Sequence, residues 1–307
     1  MNSVAITTFY RFLPLSPEGL PLHQQRMEQI AQSESLRGMV LLGCEGINAT
    51  VSGSAAGLER FKSAVLEMLG VPHLPFKDSL GERHPFQIFR VKIKDEIVSL
   101  GKPGLVPQTP KNFHLSPQEW QAAMHEPGTV VIDTRNDYEV QIGKFKNAID
   151  FNTQEFNQFP ECIKDSSIAK DQKVLIYCTG GIRCEKAILE MHNQGFQKVF
   201  QLDGGILNYL KELPNQDYEG ECFVFDYRVA VDQRLQPTRN YKLCPHCGQP
   251  AKQVIQCAQC GRKETICQRC ESNGICSCSK NCAHHQAIGS GSSKSHLPEL
   301  KKRQRLP

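Results

Sequence analysis

Residues 173–184 read KVLIYCTGGIRC, and the fold of the middle of the chain follows from them. The run up to Cys178 is apolar without alternation, the pattern of a strand buried on both faces. Gly180 and Gly181 break that run, and CEKAILEMHNQG beyond them has a helical apolar period that stops at Gly195. A buried strand that delivers a cysteine to a short loop opening a helix puts its sulfur near several backbone N–H groups and a helix N-terminus. Both favour a thiolate or another anion. Cys178 reads as a nucleophile, with Thr179, Gly180, Gly181, Ile182 and Cys184 building the loop and Arg183 adding positive charge. The plainer reading is a small hydrophobe ending a strand, followed by two turn glycines.

Working outward, LSPQEWQAAM has a Ser-Pro helix start, TVVIDTR is a short buried strand, and KVFQLDGGILNYL is a strand, turn and helix. Such alternation predicts an α/β domain over residues 115–221, with a mainly parallel sheet and functional groups where strands end. Residues 1–100 read βαββαβ. AITTFYRF is a strand, residues 18–35 a helix, GMVLLGCEGINATVSG two strands around a turn, residues 55–69 a helix, and HPFQIFRVKIKDEIV the last strand. This is the ferredoxin-like signature, in which two helices cover one sheet face and leave the other for a partner. Gly46 and Gly53 are expected to permit the local turns, and Asn48 in EGINATVSG to have a positioning role and not to ligate a metal. The proline-rich GKPGLVPQTPKN makes residues 101–114 a linker. Residues 222–243 connect onward to a Cys-rich region, 244–288, and residues 289–307 read as a basic flexible tail.

The chain has 307 residues, 39% hydrophobic and 22% charged, with apolar runs far shorter than the ~18 residues of a membrane span. A membrane protein is excluded on that pattern. The start, MNSVAITTFYRF, lacks the basic and apolar regions of a secretory signal, so cytoplasm is expected and thiols should be reduced. Nine of the 14 cysteines lie between Cys244 and Cys282, which in a reducing compartment points to metal. Cys244-x2-Cys247, Cys257-x2-Cys260 and Cys267-x2-Cys270 are followed by Cys276, Cys278 and Cys282, with His284 and His285 nearby. Two CxxC pairs complete a tetrahedral zinc site, so structural zinc is expected, with an iron–sulfur cluster as the rival. The first four cysteines could form one site, or the pairs could interleave. Residues 222–307 carry 14 Lys+Arg against 5 Asp+Glu, while residues 1–221 carry 22 against 27. A basic end on an acidic body suits nucleic-acid contact, or a solvated tail.

The loop CTGGIRC resembles the active-site loop of the rhodanese superfamily. The likeness extends through VVIDTRNDYEVQIGKFKNAI, with its Asp-x-Arg after a strand, to LDGGILNYL. It implies that Asp133 and Arg135 support the loop and its charge, and Glu139 fits the acidic position downstream. Cys184 stands where many rhodaneses have serine, and a resolving thiol and a structural one are both open. LLGCEGINATVSG, FKDS, YCTGGIRCEKA and FVFDYRVAVD are together similar, over most of residues 1–235, to the bacterial oxygen-dependent tRNA uridine(34) hydroxylase family. That resemblance implies a ferredoxin-like or acylphosphatase-like domain before a rhodanese-like domain. It implies an oxidoreductase that adds a 5-hydroxyl to the wobble uridine of tRNA, with dioxygen as cosubstrate and Cys178, Arg183, Asp133 and Arg135 at the catalytic site. No flavin, haem or HExxH motif is present. A Cys178 persulfide would serve sulfur transfer instead, and a noncatalytic RNA-binding module is a third reading. For RNA, Phe9, Tyr10, Arg11, Phe12, Phe86, Phe89, Arg90 and Lys92 offer stacking and phosphate contacts, or simply fill the core.

Overall fold

The computed structural model describes residues 4–107 and 113–289, so part of the expected linker and nearly all of the expected tail lie outside the described residues. The chain divides into two compact units. The first runs to Cys222 and includes Gln233–Leu235, and the second comprises Phe223–Asp232 and the chain from Gln236 onward.

The first unit opens with β1 (Val4–Phe12), α1 (Leu20–Ser33), β2 (Arg37–Gly43), β3 (Gly46–Gly53), α2 (Ala55–Leu69), β4 (Lys77–Gly81) and β5 (Phe89–Ile93). The sheet order is β4–β1–β3–β2–β5. The first four strands pair antiparallel, as a ferredoxin-like sheet requires, and β5 adds parallel to β2. The fourth strand of the βαββαβ pattern is thus Lys77–Gly81, not the alternating segment expected to close it, which supplies β5 on the opposite edge. KDSLG is short and largely exposed, so no hydrophobic period announces it, and it forms by pairing its backbone with β1.

On β3, Ile47, Ala49 and Val51 face inward with Leu58, Phe61 and Val65 of α2 and Met27 and Ala31 of α1. Each large apolar side chain buried there contributes roughly 1.5–3 kcal/mol. Helix α2 starts where Ser54 Oγ accepts from Gly57 N and stops at Gly70, whose φ is +64°. The opposite sheet face carries Thr8, Tyr10, Asn48 and Thr50, with Thr8 Oγ1 3.0 Å from Thr50 Oγ1. This face was expected to be free for a partner, yet the chain itself takes part of it. Asn48 Nδ2 donates to Ile97 O at 3.2 Å, and Tyr10 Oη donates to Glu185 at 3.0 Å.

The same unit continues through β6 (His114–Leu115), α3 (Pro117–Met124), β7 (Val130–Asp133), α4 (Asp137–Val140), β8 (Gly143–Phe145), β9 (Ile149–Asp150) and α5 (Phe159–Lys164). It then forms β10 (Lys173–Tyr177), α6 (Ile182–Asn193), β11 (Lys198–Leu202) and α7 (Gly205–Glu212). The second sheet has the order β6–β11–β10–β7–β9, and its pairs are parallel. Helix α3 begins with a reciprocal box between Ser116 and Glu119, as the Ser-Pro start suggested. One side of β10 packs Val174 and Ile176 against Ala187 and Met191 of α6, so the strand and helix that flank Cys178 are anchored in a single core.

In the second unit two Cys-x2-Cys-Gly turns repeat the same bonding. Gly248 N donates to Cys244 O and Gly261 N to Cys257 O, each at 2.8 Å, and both glycines have left-handed φ values of +77° and +71°. Short helices follow at Gln268–Ser272 and Lys280–Gly289. Among the described residues no helix is long and apolar enough to cross a membrane.

Candidate active site and metal centres

Cys178 leaves β10 directly and is only 1% exposed. Gly181 N donates to its sulfur at 3.1 Å. Burial opposes ionisation of this thiol, but the Cys184 thiol, the Arg183 guanidinium and the N–H groups of Arg183 and Cys184 outweigh it and lower the pKa to about 5. Cys184 moves the other way, raised by burial and by its hydrogen bond to Cys178, with Thr134 Oγ1 3.7 Å from its sulfur. The pair therefore divides into a ready thiolate and a thiol that donates to it.

Arg183 is held by a bidentate pair with Glu139, at 2.6 and 2.7 Å. The Glu139 side chain is wholly buried, and Thr179 Oγ1 also donates to it at 3.3 Å. The acidic residue downstream of the Asp-x-Arg thus fixes the arginine and the first loop residue together. Asp133 and Arg135 form a second pair without solvent exposure, Nη2 to Oδ2 2.7 Å, and Arg135 Nη2 also donates to Gly143 O at 2.6 Å. Their bonds tie the end of β7 to β8. Breaking either buried pair from one side would cost about 3–5 kcal/mol.

The LDGGILNYL segment supports the loop from below. Ile206 N donates to Cys178 O at 3.0 Å and Leu207 N to Thr179 O at 3.2 Å. Gly205, with φ +67°, lies so near that a Cβ would stand 2.5 Å from Cys178 O. The first sheet also reaches this site. Lys77 Nζ donates to Gly180 O at 2.7 Å and Gly204 O at 3.0 Å, and a Cβ on Gly181 would meet Tyr10 Oη at 3.0 Å. Tyr10 is held protonated by burial and by Glu185, which also meets His114 Nε2 at 3.1 Å. Lys186 of α6 is fully buried between Glu45 and Glu96, 2.6 Å from each. Sequence reasoning assigned no role to Lys77, Glu185, Lys186 or Glu45. The one signal for them was that FKDS, CEGIN and IRCEKA travel together in the resemblance.

Three family profiles match in series. These are a UPF0176 acylphosphatase-like domain over residues 4–97, a rhodanese-like domain over 116–212 and a rhodanase C-terminal segment over 219–283. A Bdellovibrio bacteriovorus protein named tRNA uridine(34) hydroxylase is 49% identical over 283 residues, covering 91% of this chain and 80% of its own length. The chain belongs to the tRNA uridine(34) hydroxylase family. Relatives of that name from Synechocystis sp. and Picosynechococcus sp. are 42% and 41% identical, covering 83% and 81% of this chain and 95% and 84% of theirs.

In this family member the C-terminal cysteines sort into two sets of four. Cys244 and Cys247 join Cys267 and Cys270, while Cys257 and Cys260 join Cys278 and Cys282, and the sulfurs of each set lie within 4.8 Å of one another. The pairs interleave, one of the two arrangements that the spacing left open. Sulfurs at 3.4 Å (Cys247–Cys267), 3.6 Å (Cys260–Cys278) and 3.8 Å (Cys282–Cys260) match the edge of about 3.8 Å of a tetrahedron with ~2.3 Å metal–sulfur bonds. Either set could hold a metal ion. Cys276 falls in neither set and exchanges hydrogen bonds with Gln286. His284 and His285 also stand outside both.

Of the residues offered for RNA contact, Phe9 and Phe86 are buried in the core. Tyr10, Arg11, Phe12, Phe89 and Lys92 are half-buried and Arg90 is exposed.

Proposed function

We propose that this chain hydroxylates carbon 5 of the wobble uridine of tRNA in an oxygen-dependent reaction, with Cys178 as the reacting thiol. The observation that carries this reading is a buried cysteine of depressed pKa at the heart of a chain that matches hydroxylase relatives along most of its length. A thiolate adding to carbon 6 of uracil would make carbon 5 nucleophilic, and one atom of dioxygen would enter there. Loss of the carbon 5 proton and departure of Cys178 would restore the ring. Reducing the other oxygen atom to water takes two electrons, so turnover should depend on an added reductant. The loop N–H groups hold Cys178 ionised, and Arg183, pinned by Glu139, supplies fixed positive charge beside it. Asp133 and Arg135 serve by holding the strand ends that carry this loop.

Zinc is the metal that best suits eight cysteines in two tetrahedral sets. Closed four-thiolate sites maintain structure, so we assign the second unit to stability and, with its net positive charge, to contact with the tRNA backbone. The protein would act in the cytoplasm.

The test is mass spectrometry of wobble nucleosides in tRNA from aerobic cells carrying the gene, its deletion, or Cys178→Ser. Loss of 5-hydroxyuridine-derived products in both mutants supports the proposal. Unchanged modification in a deletion strain without a second pathway, or sulfur transfer by the purified protein without a gain of 16 Da in tRNA, overturns it.

A further inference from the structure

Beside the N–H groups of Arg183 and Cys184, the Gly180–Gly181 peptide also donates to the Cys178 sulfur, its nitrogen 3.1 Å from Sγ. The carbonyl of the same peptide points the other way and accepts from Lys77 Nζ at 2.7 Å. Gly181 has φ +99° and ψ −24°, near the third position of a type II turn. Rotating that peptide by half a turn would give the type I alternative, with φ near about −90° there, and would aim the Gly180 oxygen at the sulfur. With glycine on both sides, no Cβ bars either orientation. The two orientations have opposite effects on Cys178. One offers a donor to the thiolate, and the other places a carbonyl dipole against it.

What selects the donor orientation comes from the first sheet. Lys77 pairs with Thr8 across β4 and β1, on the face that also carries Tyr10, and its ammonium lies 5.9 Å from the Tyr10 ring centroid. It binds Gly204 O at 3.0 Å as well, which joins the entry of α7 to the cysteine loop. Its neighbour Asp78 is tied to Lys62 of α2 at 2.7 Å, so the strand presenting Lys77 is itself anchored.

We propose that Lys77 is a positioning residue of the thiol site, holding the Gly180–Gly181 peptide with its N–H turned to Cys178. The first domain then prepares the nucleophile of the second, in addition to any part it plays in binding RNA. The inference rests on Cys178 as the reacting thiol.

Lys77→Met removes the ammonium and keeps the length of the side chain. In the full, metal-loaded chain, the rate of Cys178 alkylation by iodoacetamide is followed against pH by mass spectrometry of the peptide containing it. Its inflection should rise by about one pH unit, the scale of one lost charge-assisted hydrogen bond. Lys77→Arg, which keeps a cationic donor, should stay with the wild type. The acid limb of tRNA hydroxylation should move with the alkylation profile, by the same shift. An unmoved inflection in a folded Lys77→Met, or an equal loss of hydroxylation at every pH, overturns the proposal. If Lys77→Met does not fold, Lys77→Gln replaces it, and failure of both beside a folded Lys77→Arg also overturns it by making Lys77 part of the framework. Alkylation reads the sulfur directly. A wild-type chain that shows the profile yet yields no hydroxylated tRNA counts against the hydroxylase reading alone.

Discussion

Replacing Lys186 by methionine tests how the two halves of the first unit are held together, and the structure sets the size and the pH dependence of the effect. Lys186 is fully buried, and its ammonium is 2.6 Å from Glu45 and from Glu96, whose side chains are 2% and 9% exposed. Glu45 also accepts from Ile97 N at 2.6 Å, and Glu96 from Leu100 N and Gly101 N at 3.1 and 2.8 Å. Methionine matches the stem but leaves two facing carboxylates without their cation. Breaking such a group from one side costs about 3–5 kcal/mol, a large share of the ~5–15 kcal/mol that stabilises a domain. Burial already raises the Glu45 pKa, and without Lys186 it should rise further. A carboxyl with a raised pKa in the folded state stabilises below its unfolded value and loses that contribution as pH rises through the folded one. The deficit of Lys186→Met should therefore be smaller at pH 5 than at pH 8. Urea unfolding at both pH values can be followed by the emission of Trp120 of α3, the single tryptophan, which is fully buried beside Phe145 and Tyr177. A variant as stable as wild type at pH 8, or one weaker at pH 5 than at pH 8, would refute the reasoning.

Cys184→Ala should raise the Cys178 alkylation inflection by about one pH unit, whereas Cys184→Ser, which can still donate, should leave it nearly in place. Because the folded Cys178 pKa is depressed to about 5, the stability it contributes is present above the unfolded thiol value and lost as pH falls through 5, so Cys178→Ser should flatten the acid side of the unfolding curve. Gly205→Ala should give insoluble or inactive protein, since both its φ of +67° and the 2.5 Å approach to Cys178 O exclude a Cβ, and soluble active enzyme would contradict the loop geometry. Cys270→Ser should lower bound metal by one ion per chain by elemental analysis, while Cys276→Ser should leave the content unchanged.

The parts of this site that could be read from sequence are those written locally. Strand, Cys178, two glycines and the first turn of the helix occupy a dozen consecutive residues, so the fold of that element follows from them. The partners that complete it lie far away in the chain. Glu139 meets Arg183 across 44 residues, and Lys77 reaches Gly180 across 103. Lys77 opens a polar edge strand with no apolar period, which is why hydrophobic alternation points instead to the segment beyond it as the last strand of the first sheet. The choice between the two cysteine arrangements is equally out of reach, because Cys-x2-Cys spacing fixes which sulfurs are adjacent and leaves the second pair to the fold. Phe9 and Phe86 show the same limit from another side, since alternation alone does not distinguish a core aromatic from one that stacks on a base.

The interleaving also fixes an order of events as the chain is made. Neither cysteine quartet is complete when its first pair leaves the ribosome: one waits for Cys270, and by then the opening pair of the other has already emerged without its closing pair. A metal held early by two or three thiolates would be weakly kept and open to exchange, and a mismatched quartet would have to come apart before Cys278 and Cys282 could take their places. With metal in both quartets, as proposed above, the cysteine-rich unit should take up its ions nearly together and late, so that scarcity of metal during growth would yield chains with a finished Cys178 site and an unfinished cysteine-rich unit.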